Sequence, residues 1–301
     1  RQQMGTAGTQ TSALAATGVV EGPSSCPTES EEYNGTSWTA GGSVSTARFA
    51  SGGAGTQTSA VIAGGRLGPG TWSAVTEEYG GTSWTSGGAL NQSKTLSSAI
   101  TGSLTAAVAF GGDGNPPTAA VDDLTFYDGT SWTEVGSLPG VQRNGGSAGP
   151  QTASILFGGS TSPSTNAFRF DGTSFSATGS MASVTTSPAP AANASDNNTA
   201  LSMGGYGGSA YLSKTEEYNF TANTVVQAAW SSGGNMGSAL WSRAGGGTQT
   251  AAISAGGENP KTTNTELYDG TSWSEVNNLA LARNQMGKAG TQTAFLVFGG
   301  E

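Results

Sequence analysis

The sequence predicts an all-β protein, and specifically a β-propeller of four-stranded blades. A unit of roughly 47 residues recurs along the whole chain, and each unit closes with an aromatic residue, a tight turn and a second aromatic residue. A repeat of this length, rich in glycine and aromatic residues, is typical of small sheets arranged radially. The first aromatic positions of the repeats are Tyr33, Tyr79, Tyr127, Phe170, Tyr218 and Tyr268.

The closing turn has an almost constant sequence. A Gly-Thr-Ser-Trp run follows the first aromatic residue at 35–38, 81–84, 129–132 and 270–273, and residues 172–175 read Gly-Thr-Ser-Phe. Asn-Gly, Gly-Gly and Asp-Gly pairs in these turns favour tight β-hairpins because they accept positive φ. The residues expected to hold the blades together are Tyr33, Trp38, Tyr79, Trp84, Tyr127, Trp132, Phe170, Phe175, Tyr218, Tyr268 and Trp273.

One repeat is expected to contain four strands. In the second repeat we place them near residues 48–54, 58–63, 75–79 and 83–87. The second strand is apolar without alternation, as expected when neighbouring sheets cover both of its faces. A Gly-Gly pair ends this strand in most repeats, where the backbone must bend or approach another chain segment closely.

The repeats are expected to form a single domain over residues 1–301. Their approximate bounds are 1–47, 48–94, 95–141, 142–188, 189–239, 240–282 and a half repeat at 283–301. We prefer seven blades, with residues ahead of Arg1 supplying the outer strands of the last one, and keep six as the alternative. Because the chain starts with Arg1 in mid-repeat, we expect it to be part of a longer polypeptide.

The composition excludes several functional classes. The formal net charge is −9, so neither nucleic acid nor an anionic membrane is an expected partner. No apolar stretch approaches the roughly 20 residues of a membrane span, so no membrane insertion is expected. The chain has no histidine, which removes imidazole-based catalysis and imidazole metal sites. Cys26 is the only cysteine, so no disulfide can form within the chain. We expect no metal and no cofactor.

The repeat pattern resembles the kelch repeat over essentially the whole chain. The resemblance lies in an apolar run ending in Gly-Gly, a tyrosine that ends a strand, and a tryptophan about five residues later. It implies one four-stranded propeller blade per repeat and a packing role for these residues. The Ala-Gly-Thr-Gln-Thr phrases at 7–11, 54–58 and 289–293 also look like low-charge kelch-like repeats in virion proteins of aquatic bacteriophages.

Candidate ligand-binding residues lie in two places. The loops after the Gly-Gly pairs vary most, and their aromatic residues could stack on sugar rings beside charged groups; these residues are Arg66, Trp72, Tyr206, Tyr211 and Lys261. Basic residues recur where first strands begin, and they could form a basic ring that holds a carboxylate or sulfate; the ligand candidates among them are Arg48, Arg143 and Arg283. The alternative for this second set is that the side chains bind backbone carbonyls between blades.

Two acidic patterns are interpreted as structural. The glutamate pairs 31–32, 77–78 and 216–217 precede tyrosines, and neighbours on a strand point to opposite faces, so we expect a solvated acidic rim rather than a glycosidase pair. Asp128, Asp171 and Asp269 begin the closing turns, where an aspartate favours a turn more than a calcium loop.

The expected function is a non-enzymatic binding or structural module. We place it outside a cell or on a virion surface, as part of a phage tail fibre, other appendage or capsid. Its expected partner is a host-surface glycan or a neighbouring structural subunit, and assembly as a homo-oligomer is compatible with that role. The alternatives are a secreted glycan-active hydrolase, for which no catalytic constellation is visible, and a kelch-type protein-interaction adaptor.

Overall fold

The computed structural model describes residues 1–20, 25–96, 99–114, 119–159, 164–186, 189–192, 196–220 and 229–301. These residues form strands and turns without any helix. The fold class is all-β, a β-propeller of four-stranded blades, as the repeat pattern predicts, and the described residues form six blades. The chain packs as two compact units, one formed by 1–143 with 298–301 and the other by 144–297.

The first unit contains blades 1 to 3. Blade 1 consists of β1 (Gly5–Thr9), β2 (Ser12–Ala16), β3 (Ser30–Tyr33) and β4 (Trp38–Ala40). Blade 2 consists of β5 (Gly52–Thr56), β6 (Ser59–Ala63), β9 (Thr76–Tyr79) and β10 (Trp84–Ser86), and a small extra hairpin of β7 (Arg66–Gly68) and β8 (Thr71–Trp72) interrupts it. Blade 3 consists of β11 (Lys94–Thr95), β12 (Ile100–Ser103), β13 (Ala106–Gly114), β14 (Ala119–Tyr127) and β15 (Trp132–Gln142). Because β11 and β12 both pair with β13, they share the first-strand position of this blade.

The second unit contains blades 4 to 6 and most of a hairpin. Blade 4 consists of β16 (Gly146–Ala148), β17 (Ser154–Phe157), β18 (Ala167–Phe170) and β19 (Phe175–Ala177). Blade 5 consists of β20 (Ala189–Ala192), β21 (Thr199–Met203), β22 (Thr215–Asn219) and β23 (Ala229–Ser232). Blade 6 consists of β24 (Ala244–Thr248), β25 (Ala251–Ala255), β26 (Thr265–Tyr268) and β27 (Trp273–Glu275). The hairpin consists of β28 (Gly287–Thr291) and β29 (Ala294–Phe298).

The preferred number of seven blades is wrong, and the alternative of six is correct. The physical reason is that β1 and β2 pair with β3 and β4 and complete blade 1, so this outer hairpin is already occupied. Among the described residues, β28 and β29 therefore remain a two-stranded sheet.

The first strand of blade 2 begins later than expected. It starts at Gly52, four residues beyond the predicted start at Arg48, whose buried side chain donates to backbone carbonyls. The other three strands of that blade lie within a residue or so of their predicted positions.

The second strand of each blade carries the core. Leu14, Val61 and Val108 are fully buried in three successive blades, which agrees with the expected lack of polar alternation. Full burial of such side chains stabilises the fold by about 1.5–3 kcal/mol each.

The two aromatic residues of a repeat are cross-strand partners. Tyr79 lies opposite Trp84 in the register of β9 and β10, and the ring centroids are 4.9 Å apart. The same contact recurs for Tyr33 with Trp38, Tyr127 with Trp132, Phe170 with Phe175 and Tyr268 with Trp273, at 4.8–5.2 Å. In blade 5 the partner of Tyr218 is Trp230, at 5.4 Å, and a longer connection separates the two in sequence.

The closing turns share one geometry. The Oδ1 atom of Asp128 accepts hydrogen bonds from the backbone N–H groups of Thr130 and Ser131, each at 2.8 Å. The intervening Gly129 has a φ of 92°, which explains the glycine at this position. These N–H groups hold the pKa of the Asp128 carboxyl below its usual range, and the same holds for Asp171 and Asp269. The turn interpretation of these aspartates therefore agrees with their hydrogen bonds.

Candidate ligand-binding loops

The second unit exposes a cluster of three aromatic rings, which we call the aromatic platform: Tyr206, Tyr211 and Trp241. Tyr206 and Tyr211 lie on two sides of the loop after the Gly-Gly pair of blade 5, joined by a β-bridge, with ring centroids 5.5 Å apart. Tyr211 stacks on Trp241 at 5.1 Å with an interplanar angle of 8°. Tyr206 is 36% exposed, and the other two side chains are half-buried.

Backbone hydrogen bonds fix the position of the platform. Tyr206 exchanges two N–H···O bonds of 2.9 Å with Thr186, and its hydroxyl donates to the carbonyl of Gly208 at 2.7 Å. Trp241 exchanges two backbone bonds with Glu258, at 3.0 and 3.3 Å. The rings are therefore held on strand-like backbone rather than on a free loop, which lowers the entropy cost of binding a ligand.

Polar groups lie next to the platform. The Glu258 carboxylate accepts a hydrogen bond from the side-chain amide of Asn284, a residue that is fully buried. Lys261 is exposed in the turn that follows Glu258. Aromatic side chains accompanied by a few fixed polar groups are among the features of small-molecule sites.

The first unit carries a different cluster, which we call the guanidinium cluster: Arg66, Trp72, Asp113 and Arg143. The guanidinium of Arg66 lies over the Trp72 ring, 4.7 Å from its centroid. Arg66 also pairs with Asp113 at 3.1 Å, and Arg143 approaches the other oxygen of that carboxylate to 3.7 Å. The structure thus brings three of the predicted residues together, around an aspartate that the sequence did not indicate.

The remaining basic first-strand residues are mostly engaged in packing. Arg48 is fully buried, and it donates to the carbonyl oxygens of Gly64, Ile62 and Thr46 at 3.0, 3.3 and 2.9 Å. It also lies 3.4 Å from the Glu77 carboxylate. Arg48 thus satisfies backbone carbonyls, as the packing alternative predicts, but Gly64 and Ile62 lie in its own repeat rather than in a neighbouring blade. The buried side chain has no surface for a ligand.

Three further basic residues near the start of first strands, Lys94, Arg1 and Arg283, differ in their surroundings. Lys94 is buried against Asp123 at 2.5 Å, and Arg1 pairs with the exposed Glu31. Arg283 is half-buried, and its backbone carbonyl accepts from Gly257 N–H at 2.7 Å. Of Arg48, Arg143 and Arg283, only Arg143 belongs to the guanidinium cluster.

The expected acidic rim is wrong for most of the glutamate pairs. Glu77 and Glu216 are 1% and 3% exposed, and the Glu216 carboxylate accepts the backbone N–H groups of Ala182 and Ser183 at 2.6 and 2.8 Å. The neighbouring glutamates do point to opposite faces of their strands, but other parts of the protein cover both faces. In the pairs 77–78 and 216–217 the first glutamate therefore binds a cation or N–H groups inside the protein, whereas Glu31 is exposed.

The second glutamate of a pair reaches the next blade. In the first unit, Glu32 accepts the hydroxyl of Tyr79 and Glu78 accepts that of Tyr127. Burial, followed by the Glu32 hydrogen bond, raises the pKa of Tyr79 to about 12. Burial and Glu78 raise the pKa of Tyr127 in the same way. The tyrosine of one blade and the glutamate of the preceding blade therefore form a repeated contact between blades.

Two further observations concern the whole described chain. No group of three or more Cys, Asp or Glu side chains in the described ranges is arranged to hold a metal ion. No helix long and apolar enough to cross a membrane occurs in the part of the chain that the structure describes.

Comparison with known proteins adds evidence on the fold alone. No protein-family model and no curated protein matches the chain. Among solved structures it is similar to the one described as "Structure of YjhT", with 13% sequence identity and a TM-score of 0.58 over 100% of this chain and 90% of that chain. At such low identity the similarity is one of fold, and it agrees with the assignment as a β-propeller.

Proposed function

We propose that this β-propeller is a non-enzymatic binding module that recognises a host-surface glycan through its exposed loops. The fold is compatible with binding or structural roles. The observation that carries the proposal is the aromatic platform, in which three partly exposed rings are held by backbone hydrogen bonds. Aromatic rings with fixed positions contribute large contact areas at a low cost in conformational entropy.

The platform suits the flat, apolar C–H face of a pyranose ring. Tyr211 and Trp241 are stacked on each other and Tyr206 is inclined to Tyr211, so the platform offers a ligand the ring faces and edges that the three rings leave uncovered. The nearby Glu258 carboxylate can accept hydrogen bonds from sugar hydroxyl groups that reach past the rings. A polar ligand with one apolar face is thus a better match than a purely apolar one.

The proposed location is the outside of a cell or a virion, on a phage appendage such as a tail fibre, or on a capsid. A low proportion of charged residues and many Ser, Thr and Gly residues accompany the repeat. This composition supports display as a rigid structural module, in which the blades hold the shape and the variable loops carry recognition. A neighbouring subunit is the other partner that such loops could contact.

The test is a glycan array followed by calorimetric titration of the best ligand, using the full chain and its Trp241→Ala and Tyr211→Ala variants. We expect each variant to weaken binding by about tenfold or more, because a central aromatic side chain contributes at least about 1.4 kcal/mol. Leu281→Ala removes an exposed apolar side chain outside the platform and is the control. Unchanged glycan binding by a folded Trp241→Ala protein would refute the proposal.

A further inference from the structure

We infer that the guanidinium cluster of the first unit binds an oxyanion carried on a sugar, a sulfate ester or a carboxylate. The inference rests on the proposed glycan recognition and deepens it, because it specifies an acidic glycan. It concerns Arg66, Trp72, Asp113 and Arg143, which are separate from the aromatic platform.

The extra hairpin of blade 2 builds one side of the site. Arg66 in β7 is the cross-strand partner of Trp72 in β8, so the register places the guanidinium over the indole ring. A backbone bridge between Phe49 and Arg66, with bonds of 2.7 and 3.0 Å, anchors the hairpin to the blade. Both functional side chains are therefore positioned before any ligand binds.

The charges of the cluster do not balance. Two guanidinium groups share the single carboxylate of Asp113, which leaves a local charge of about +1 on a protein whose formal net charge is −9. The side chains of Arg66 and Arg143 are 29% and 32% exposed, so a ligand can reach both of them. A bound anion would neutralise this excess positive charge.

Hydrogen-bond donors in the cluster also exceed the acceptors. The Nε–H of Arg66 and the Nε1–H of Trp72 are both buried and have no acceptor among the described atoms, against one buried acceptor without a hydrogen bond, Asp113 Oδ1, which Arg143 approaches only to 3.7 Å. A buried donor without a partner has lost its hydrogen bonds to water without replacing them, and a ligand acceptor would restore one. An oxyanion supplies several acceptor oxygens at once, and a guanidinium binds a carboxylate or sulfate in a two-point manner.

The remaining features favour an anion on a sugar over a free anion or nucleic acid. The tip of the hairpin is open, since a Cβ atom added at Gly68 or Gly70 would meet no atom within 4 Å. The half-buried Trp72 ring provides apolar surface beside the Arg66 guanidinium. The strongly negative net charge disfavours a polyphosphate backbone, which must be held by many cations at once.

The experiment titrates the full chain with galactose 6-sulfate, galacturonate, galactose and inorganic sulfate at low salt. We expect the two acidic sugars to bind at least about fivefold more tightly than galactose, and more tightly than inorganic sulfate.

Arg143→Gln should remove most of this preference for acidic sugars. Asp113→Asn should strengthen acidic-sugar binding several-fold, because it removes the carboxylate that competes with the ligand for both guanidinium groups. Trp72→Phe, which keeps a ring but lacks the N–H, should weaken it.

The controls separate this inference from the proposed function. Lys214→Gln removes one exposed cation of the other unit and should leave the preference unchanged. Trp241→Ala should lower binding at the platform while the difference between acidic and neutral sugars persists. If glycan binding is weakened by Trp241→Ala but unchanged in Arg143→Gln and Asp113→Asn, the inference is wrong and the proposed function stands. If none of these three variants changes glycan binding, the proposed function is wrong as well. Inorganic sulfate binding as tightly as the sulfated sugar would show an anion site without sugar recognition and would also contradict the inference.

Discussion

Arg48→Ala is expected to destabilise the protein by about 3–5 kcal/mol, since it leaves the buried Glu77 carboxylate without its cation. The guanidinium also satisfies three backbone carbonyls, those of Gly64, Ile62 and Thr46, which would lose their donors. Burial lowers the pKa of Arg48, and the adjacent Glu77 carboxylate opposes this shift. The free energy of unfolding from urea denaturation measures the loss.

Two comparisons make this prediction specific. Arg1→Ala removes the corresponding partner of Glu31 in blade 1, where the glutamate is 48% exposed, and should cost at most about 1 kcal/mol. The double variant Arg48→Met with Glu77→Met should cost less than the sum of the two single variants, because no unpaired charge remains. A loss of less than about 1 kcal/mol for Arg48→Ala would show that the buried pair does not hold the blade.

Tyr79→Ala is expected to be comparably destabilising, by about 3–5 kcal/mol. Tyr79 is fully buried in a cluster with Leu14 and Ala60, its ring packs on Trp84, and its hydroxyl donates to Glu32 of the preceding blade. Tyr79→Phe keeps the ring and should cost only about 1–2 kcal/mol, the cost of the lost hydrogen bond. Val135→Ala, at a 48% exposed position of blade 3, should change stability by about 0.5 kcal/mol or less.

The same residue gives the protein a defined sensitivity to alkali. The pKa of Tyr79 is about 12 in the folded protein, above the ordinary value of 10.0, so the folded state keeps a proton that the unfolded chain loses first. The stabilisation is therefore complete below pH 10 and is lost as the pH rises towards 12. Urea midpoints between pH 9 and 12 should fall less steeply for Tyr79→Phe than for the unmodified protein. Equal slopes for the two proteins would mean that the Tyr79 hydroxyl is not buried against Glu32.

Local features of the chain were predictable from sequence. Each closing turn needs an Asn, Asp or Gly followed by a glycine, a pattern that is visible in the sequence. Because the turn fixes the register of the two strands it joins, the pairing of Tyr79 with Trp84 follows from it. Trp230 was missed because the same pairing with Tyr218 is made across a longer connection, so spacing gives no signal.

Contacts between distant segments were not predictable in the same way. The alternation argument correctly separated Glu77 from Glu78, yet it could not show that both faces of the strand are covered inside the propeller. Trp241 joins the platform from the start of the following repeat, and Asp113 brings Arg66 and Arg143 together from two other segments. Such sites depend on tertiary packing, which a single sequence without aligned relatives does not report.

The seven tryptophans allow the most direct test of the central claim, which is that the blade tryptophans serve packing whereas Trp72 and Trp241 bind the ligand. A titration of the full chain with an acidic glycan, followed through the indole N–H signals in an NMR spectrum, observes all of them in one experiment. We predict that the signals of Trp241 and Trp72 shift and that those of the five blade tryptophans stay in place; these are Trp38, Trp84, Trp132, Trp230 and Trp273. Saturable glycan binding that moves the blade signals and leaves Trp241 and Trp72 unchanged would contradict it.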